Sequence, residues 1–147
     1  MIEPELILDD TPGREAMEFV GERLVAFNRS AAGVDGHNWA NFYLRSDTGA
    51  IVGGVIASTF WNWLHVEVLW VDEQYRQQGL GQRLLDAVEQ EAVRRGCTNS
   101  FLDTFSFQAP VFYQKRGYVV FGELPDFPKG QTRYFMKKPL QHISQAE

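Results

Sequence analysis

Apolar residues along the chain recur first at helical and then at strand spacing. From Arg14 onward, Ala16, Phe19, Val20, Leu24 and Phe27 fall at steps of three and four, which places them on one face of a helix. Before it, residues 5–9 form a short apolar-rich run closed by Asp10-Thr11-Pro12-Gly13, the pattern of a first strand entering a turn. Residues 28–38 contain Gly33 and Gly36 but no clear period, which predicts a loop able to line a substrate site. Residues 39–45 then alternate, and Ser46-Asp47-Thr48-Gly49 has hairpin-turn chemistry. Residues 50–60 are mostly apolar around Gly53-Gly54, as in a central strand, and Trp61-Asn62-Trp63 connects them tightly to a further strand over 64–71. The three strands read as an antiparallel meander.

After Asp72 the period changes. Leu80, Leu84, Leu85, Val88 and Ala92 mark a helix over about 79–95, with Gly96 as its C-terminal cap. A strand over 100–104, a short helix over 109–116, and strands over 118–122 and 132–137 follow. The order predicts an α/β fold: a mixed, mostly antiparallel central sheet flanked by helices, in a single domain over residues 1–140 with a polar, frayed tail at 141–147.

Composition narrows the class. At 147 residues, 44% of them hydrophobic, the chain buries one core, and a disordered chain would lack that apolar surface. The net charge is -5 and no run of Lys or Arg exceeds two residues, so there is no footprint for neutralising nucleic-acid phosphates. Cys97 is the one cysteine, so no intrachain disulfide forms, and a half-buried structural thiol is the plain expectation for it. The acidic start MIEPELILDD lacks a signal peptide's basic and apolar regions, and no 18 consecutive residues are apolar. A soluble, cytoplasmic protein without a membrane partner is expected.

The segment Val71-Asp72-Glu73-Gln74-Tyr75-Arg76-Gln77-Gln78-Gly79-Leu80-Gly81-Gln82 stands where a strand gives way to a helix. Free N–H groups of a first helical turn, with the macrodipole behind them, suit phosphate, and glycines at 79 and 81 let a ligand approach the backbone. A P-loop would need Lys-Ser or Lys-Thr after the glycines, which is absent. A dinucleotide fingerprint would need a third glycine where Leu84 stands, although Asp103 lies near the spacing of a ribose-binding acid. Two glycines that merely end a loop are the bland alternative.

Arg76-x-x-Gly79-x-Gly81 after Leu69-Trp70-Val71-Asp72-Glu73 resembles the acetyl-CoA motif of the GNAT superfamily of N-acetyltransferases. A second stretch, Ala109-Pro110-Val111-Phe112-Tyr113-Gln114-Lys115-Arg116-Gly117-Tyr118, resembles that family's Ala-x-x-x-Tyr-x-x-x-Gly-Phe signature, and the element order matches over nearly the whole chain. The resemblance implies acetyl-CoA as cosubstrate without a metal. It implies that the backbone amides of Arg76, Gln77, Gln78, Gly79, Leu80 and Gly81 wrap the pyrophosphate, with Gln82 starting the helix. Relatives often place an asparagine three residues before the alanine to bind the pantetheine arm; Ser106 stands there, and its shorter hydroxyl reaches less far.

Amine acetylation needs a neutral amine, a stabilised oxyanion and a proton for the departing thiolate. By resemblance, the strand ending in Leu69, Trp70 and Val71 parts from its neighbour, and its backbone amides near Leu69 and Val71 hold the acetyl carbonyl and pantetheine. Tyr113 matches the tyrosine that serves as general acid at the CoA sulfur; a phenol of pKa about 10 is protonated at neutral pH. The plain alternative is a core aromatic beside Phe112. Two-residue alternation places His65, Glu67, Leu69 and Val71 on one strand face, where relatives often carry a base or water relay. Glu67 is the first candidate base, since a carboxylate among apolar neighbours is costly unless used or paired, and its pKa would tend to rise. His65 is the second, Asp103 a third, and each could equally be a polar group meeting solvent or a structural hydrogen bond.

The expected function is transfer of an acetyl group to a primary amine of a small molecule or peptide. A cationic amine is favoured by carboxylates such as Asp9, Asp10, Asp35, Glu67 and Asp126. Phe60-Trp61-Asn62-Trp63 reads as core, substrate wall or homodimer contact. A non-catalytic acyl-CoA-binding or sensor module is the rival reading, and Tyr113 in motif register counts against it.

Overall fold

In the computed structural model, which describes residues 1–141, the chain divides into two compact units, residues 1–35 and the remainder from Gly36. The first unit contains helix α1 (Arg14–Ala32). It runs past the expected end at residue 27, because Arg29-Ser30-Ala31-Ala32 has no breaker; Gly33, at φ 83°, caps it by donating its N–H to the Arg29 carbonyl. Residues 5–9, expected as a first strand, form none: three apolar side chains make a strand only where a neighbour takes up the backbone bonds, and the ladders are all made by later residues. The tail expected at 141–147 falls, beyond Gln141, outside the described residues. No helix among the described residues is long and apolar enough to cross a membrane.

The second unit begins with β1 (Asn38–Trp39) and β2 (Phe42–Arg45), both antiparallel to β3 (Ile51–Phe60). The single strand expected over 39–45 is interrupted at Ala40-Asn41, where the Asn41 Oδ1 accepts the Ala57 N–H at 3.0 Å in place of a backbone carbonyl. β3 turns into β4 (Trp63–Val71) through Trp61 and Asn62, both left-handed (φ 44° and 63°), the two-residue geometry that suits strand twist. Then come α2 (Leu80–Arg94), β5 (Asn99–Phe105), α3 (Pro110–Lys115), β6 (Val119–Pro125) and β7 (Thr132–Pro139). The strands make one seven-stranded sheet in the order β1-β3-β4-β5-β7-β6, with β2 also on β3; β4 and β5 run parallel and the other pairs antiparallel. This is the mixed, mostly antiparallel sheet that the pattern predicts.

α2 buries Leu84, Leu85, Val88 and Ala92 in one core with Val55, Ala57, Leu64, Val66, Leu102 and Met136 of the sheet. Each of the Leu, Val and Met side chains contributes about 1.5–3 kcal/mol by leaving water. Gly96 (φ 89°) ends α2 as expected: its N–H reaches the Val93 carbonyl, and the buried Cys97 donates its N–H to Ala92. Burial pushes the Cys97 thiol pKa up, which suits the structural role read for it. Beneath α2 the Tyr118 hydroxyl meets Ser100 Oγ at 2.8 Å and donates to Glu89, which also accepts from Lys138 at 2.6 Å. Burial, and Glu89 beside it, drive the Tyr118 pKa far upward, so this phenol stays a neutral donor.

Candidate active site

The parallel ladder between β4 and β5 extends only from Trp63↔Asn99 to Val66↔Leu102. Beyond it β4 follows β3 as far as Val71, and β5 follows β7 as far as Phe105. The two strands therefore part, and a cleft of about 860 Å³ opens between them. That volume suits a large ligand. Glu67, Leu69, Trp70 and Val71 line one lip and Asp103 and Thr104 the other; the 76–82 loop closes one end, α3 supplies Phe112 and Tyr113, and its two cap residues, Ala109 and Arg116, complete the lining.

A bulge interrupts β4 where the strands part. Ile56 pairs with Val68 but Ala57 pairs with Val66, so Glu67 is an extra residue with no partner across the ladder. The alternation expected along β4 changes phase there. Leu64 and Val66 face the core before the bulge, Leu69 and Val71 pack on it afterwards, and His65 does not share a face with Leu69 and Val71. Glu67 projects at the cleft wall with its side chain 38% exposed, so it is not enclosed among apolar neighbours as expected. His65 is outside the lining. Its ring lies flat on Phe101, centroids 4.4 Å apart, and its Nδ1 stands 3.7 Å from Glu67 Oε1.

The glycine loop is braced from below. Asp72 Oδ1 accepts the Gln74 N–H at 2.9 Å and opens a 3-10 turn at Glu73–Tyr75, and the Arg76 Nε donates to the Val71 carbonyl at 3.0 Å. Gly79 is left-handed (φ 74°, ψ 12°) and caps α2, whose first bond runs from the Arg83 N–H to its carbonyl. A Cβ on Gly81 would meet only Phe112, at 3.7 Å, so the space above that backbone is open to the cleft. Arg76, Gln77, Gly79, Leu80, Gly81 and Gln82 line the cleft; Gln78 does not. Ser106 is also outside it: its hydroxyl donates to Gln131 at 2.6 Å and accepts the Thr132 N–H at 3.0 Å.

Tyr113 is 7% exposed. Burial, and next the negative charge of Asp103, push its pKa up to about 12. Asp103 is itself held by the Arg133 Nε at 2.8 Å, and the Arg133 guanidinium lies 5.2–5.5 Å from the ring centres of Phe105, Phe127 and Phe135. Arg76, Arg116 and the N-terminus of α2 stand at the loop end of the cleft, and Glu67 and the Arg133-paired Asp103 line it where the strands part. Sequence reasoning missed Phe107, Gln108 and Arg116 in the lining; Arg116 was accessible from its place one helical turn beyond Tyr113.

The acetyltransferase (GNAT) family model matches residues 6–118. The chain belongs to the GNAT acetyltransferase family. This acetyltransferase is 41% identical over 99 residues to the blasticidin-S acetyltransferase of Streptomyces morookaense, a match spanning 67% of this chain and 73% of that one. It is 32% identical over 132 residues to the acetyltransferase Atu2258 of Agrobacterium fabrum, covering 90% and 96% of the two chains. Among solved structures, an acetyltransferase of Bacillus cereus superposes with a TM-score of 0.82 at 34% identity, over 91% of this chain and 98% of that one. The family membership makes this GNAT chain an enzyme of acetyl transfer, with the fold that its sequence pattern predicts.

Proposed function

We propose that this acetyltransferase moves an acetyl group from acetyl-CoA to a primary amine of a small cationic molecule by direct transfer. The observation that carries this reading is the cleft at the parting of β4 and β5, with amides and cations at its loop end and the Glu67 carboxylate where the strands part. Acetyl-CoA supplies the acetyl thioester. The loop 76–81 and the first turn of α2 hold its phosphates, and the edge of β4 near Leu69, Trp70 and Val71 holds its pantetheine and carbonyl. Gln82 stands at the end of that cradle, whereas Ser106, committed to Gln131 and Thr132, serves the loop before β7.

Tyr113 is the proton donor to the leaving sulfur. With its pKa at about 12 it carries its proton at every ordinary assay pH. Glu67, thrust into the cleft by the bulge, takes the proton of the amine directly or through water. His65 acts through Glu67 as a positioning residue, since it faces that carboxylate and not the cleft. Asp103, paired with Arg133, lines the cleft beside Tyr113 and helps to keep that phenol protonated. A small acceptor is supported by the relative named for blasticidin S. The test is thiol release from acetyl-CoA across aminoacylated nucleosides, aminoglycosides, polyamines and short peptides. Turnover confined to small cationic amines is expected; turnover only on peptides would overturn the acceptor class.

A further inference from the structure

The cations partly withdrawn from solvent in the second unit meet carboxylates: Arg95 meets Glu91 at 2.7 Å, Arg133 meets Asp103 at 2.8 Å and Lys138 meets Glu89 at 2.6 Å. Arg116 does not. Among the described residues its one side-chain hydrogen bond is from Nη2 to a neutral amide, Gln82 Oε1, at 2.7 Å, and its guanidinium lies 5.6 Å from the Phe112 ring centre. Its Nε is hidden from solvent and has no acceptor. The Nε–H has thus lost hydration without gaining an acceptor, which is unfavourable unless an anion arrives. Gln82 fixes its direction, and Arg116, Gly81 and Gln82 line the same stretch of cleft. The guanidinium thus adds a formal charge to the partial charge of the α2 N-terminus.

We propose that Arg116 is the charged anchor of the cofactor, receiving a phosphate group of acetyl-CoA, while Gln82 holds its fork in register. Arg76, whose Nε is spent on the Val71 carbonyl, braces the loop instead. The proposal rests on the cleft being the acetyl-CoA site, and Gly81→Val separates the two.

The test is calorimetric affinity for acetyl-CoA at several ionic strengths, with melting of the ligand-free protein as the folding control. Arg116→Gln should weaken binding by about 10- to 100-fold and flatten its salt dependence, with Arg116→Lys intermediate. Its ligand-free melting temperature should stay close to that of wild type, because the loss of the Gln82 bond is offset by removal of a buried unpaired Nε–H. Repeating the titration with the 3′-dephospho form assigns the phosphate: an equal loss points to the pyrophosphate, no loss to the 3′-phosphate. Wild-type affinity in Arg116→Gln, or a loss with unchanged salt dependence, overturns the proposal. If Gly81→Val also binds as wild type does, the cofactor reading itself falls; if only Gly81→Val loses binding, the Arg116 assignment alone fails.

Discussion

Tyr113 shows how one side chain's surroundings set its protonation. Its pKa of about 12 means that Tyr113→Phe removes a proton donor without removing a charge. The expected result is an unchanged acetyl-CoA affinity and a kcat lower by roughly 100- to 10,000-fold. The same shift bears on stability. The folded pKa lies above the unfolded value of 10.0, so the contribution of Tyr113 is whole below pH 10 and is lost as pH rises through 12; wild type and Tyr113→Phe should diverge in denaturant unfolding within that window. For the base, Glu67→Gln should lose the acidic limb of kcat/KM and be partly rescued at high pH, with a smaller effect from His65→Gln. Loss of that limb in His65→Gln alone would exchange the two roles. The Tyr113 position was legible because it sits in a spaced motif. Ser106 was not, because its partners Gln131 and Thr132 arrive from 25 and 26 residues away.

Among the elements, α2 was legible to within a residue at each end. Its apolar period is long, and Gly79 and Gly96 punctuate it with backbone angles that other residues adopt at a cost. β4 was legible as a strand but not as a bulged one. Val66-Glu67-Val68 continues an alternation, and only the later apolar residues Leu69 and Val71, out of phase with Leu64 and Val66, betray the insertion. Residues 5–9 show the converse, since an apolar run carries no record of whether a partner strand exists. Two glycine substitutions separate the backbone roles in the loop. Gly79→Ala forces a Cβ into the left-handed region and should cost about 1–2 kcal/mol in urea unfolding. A Cβ at Gly81 meets only Phe112, so Gly81→Val should cost less stability than Gly79→Ala while abolishing acetyl-CoA binding in calorimetry. Equal stability losses in the two variants would mean that Gly81 also serves the fold.

For the whole molecule, the fold class was legible because antiparallel and parallel segments have different connections, hairpin turns against a helical crossover. The acceptor was not legible, since it depends on side chains that the fold brings together from distant strands. Glu67 and Asp103 reach the same cleft from β4 and β5. A ligand that binds only the folded state at about 100 times its Kd adds about 2.7 kcal/mol. Acetyl-CoA should therefore raise the melting temperature of wild type, and not that of Gly81→Val.

The short parallel ladder has a mechanical consequence. It is the seam between two antiparallel half-sheets, β1-β3-β4 with β2 on one side and β5-β7-β6 on the other, and it is only four residue pairs long. Amides on Glu67–Val71 and on Asp103–Phe105 that face the parting should exchange their hydrogens with deuterium quickly, whereas those inside the β3–β4 and β5–β7 ladders should exchange slowly. A cofactor lying along the parting would stitch the halves together, so protection should appear on both sides of the seam at once.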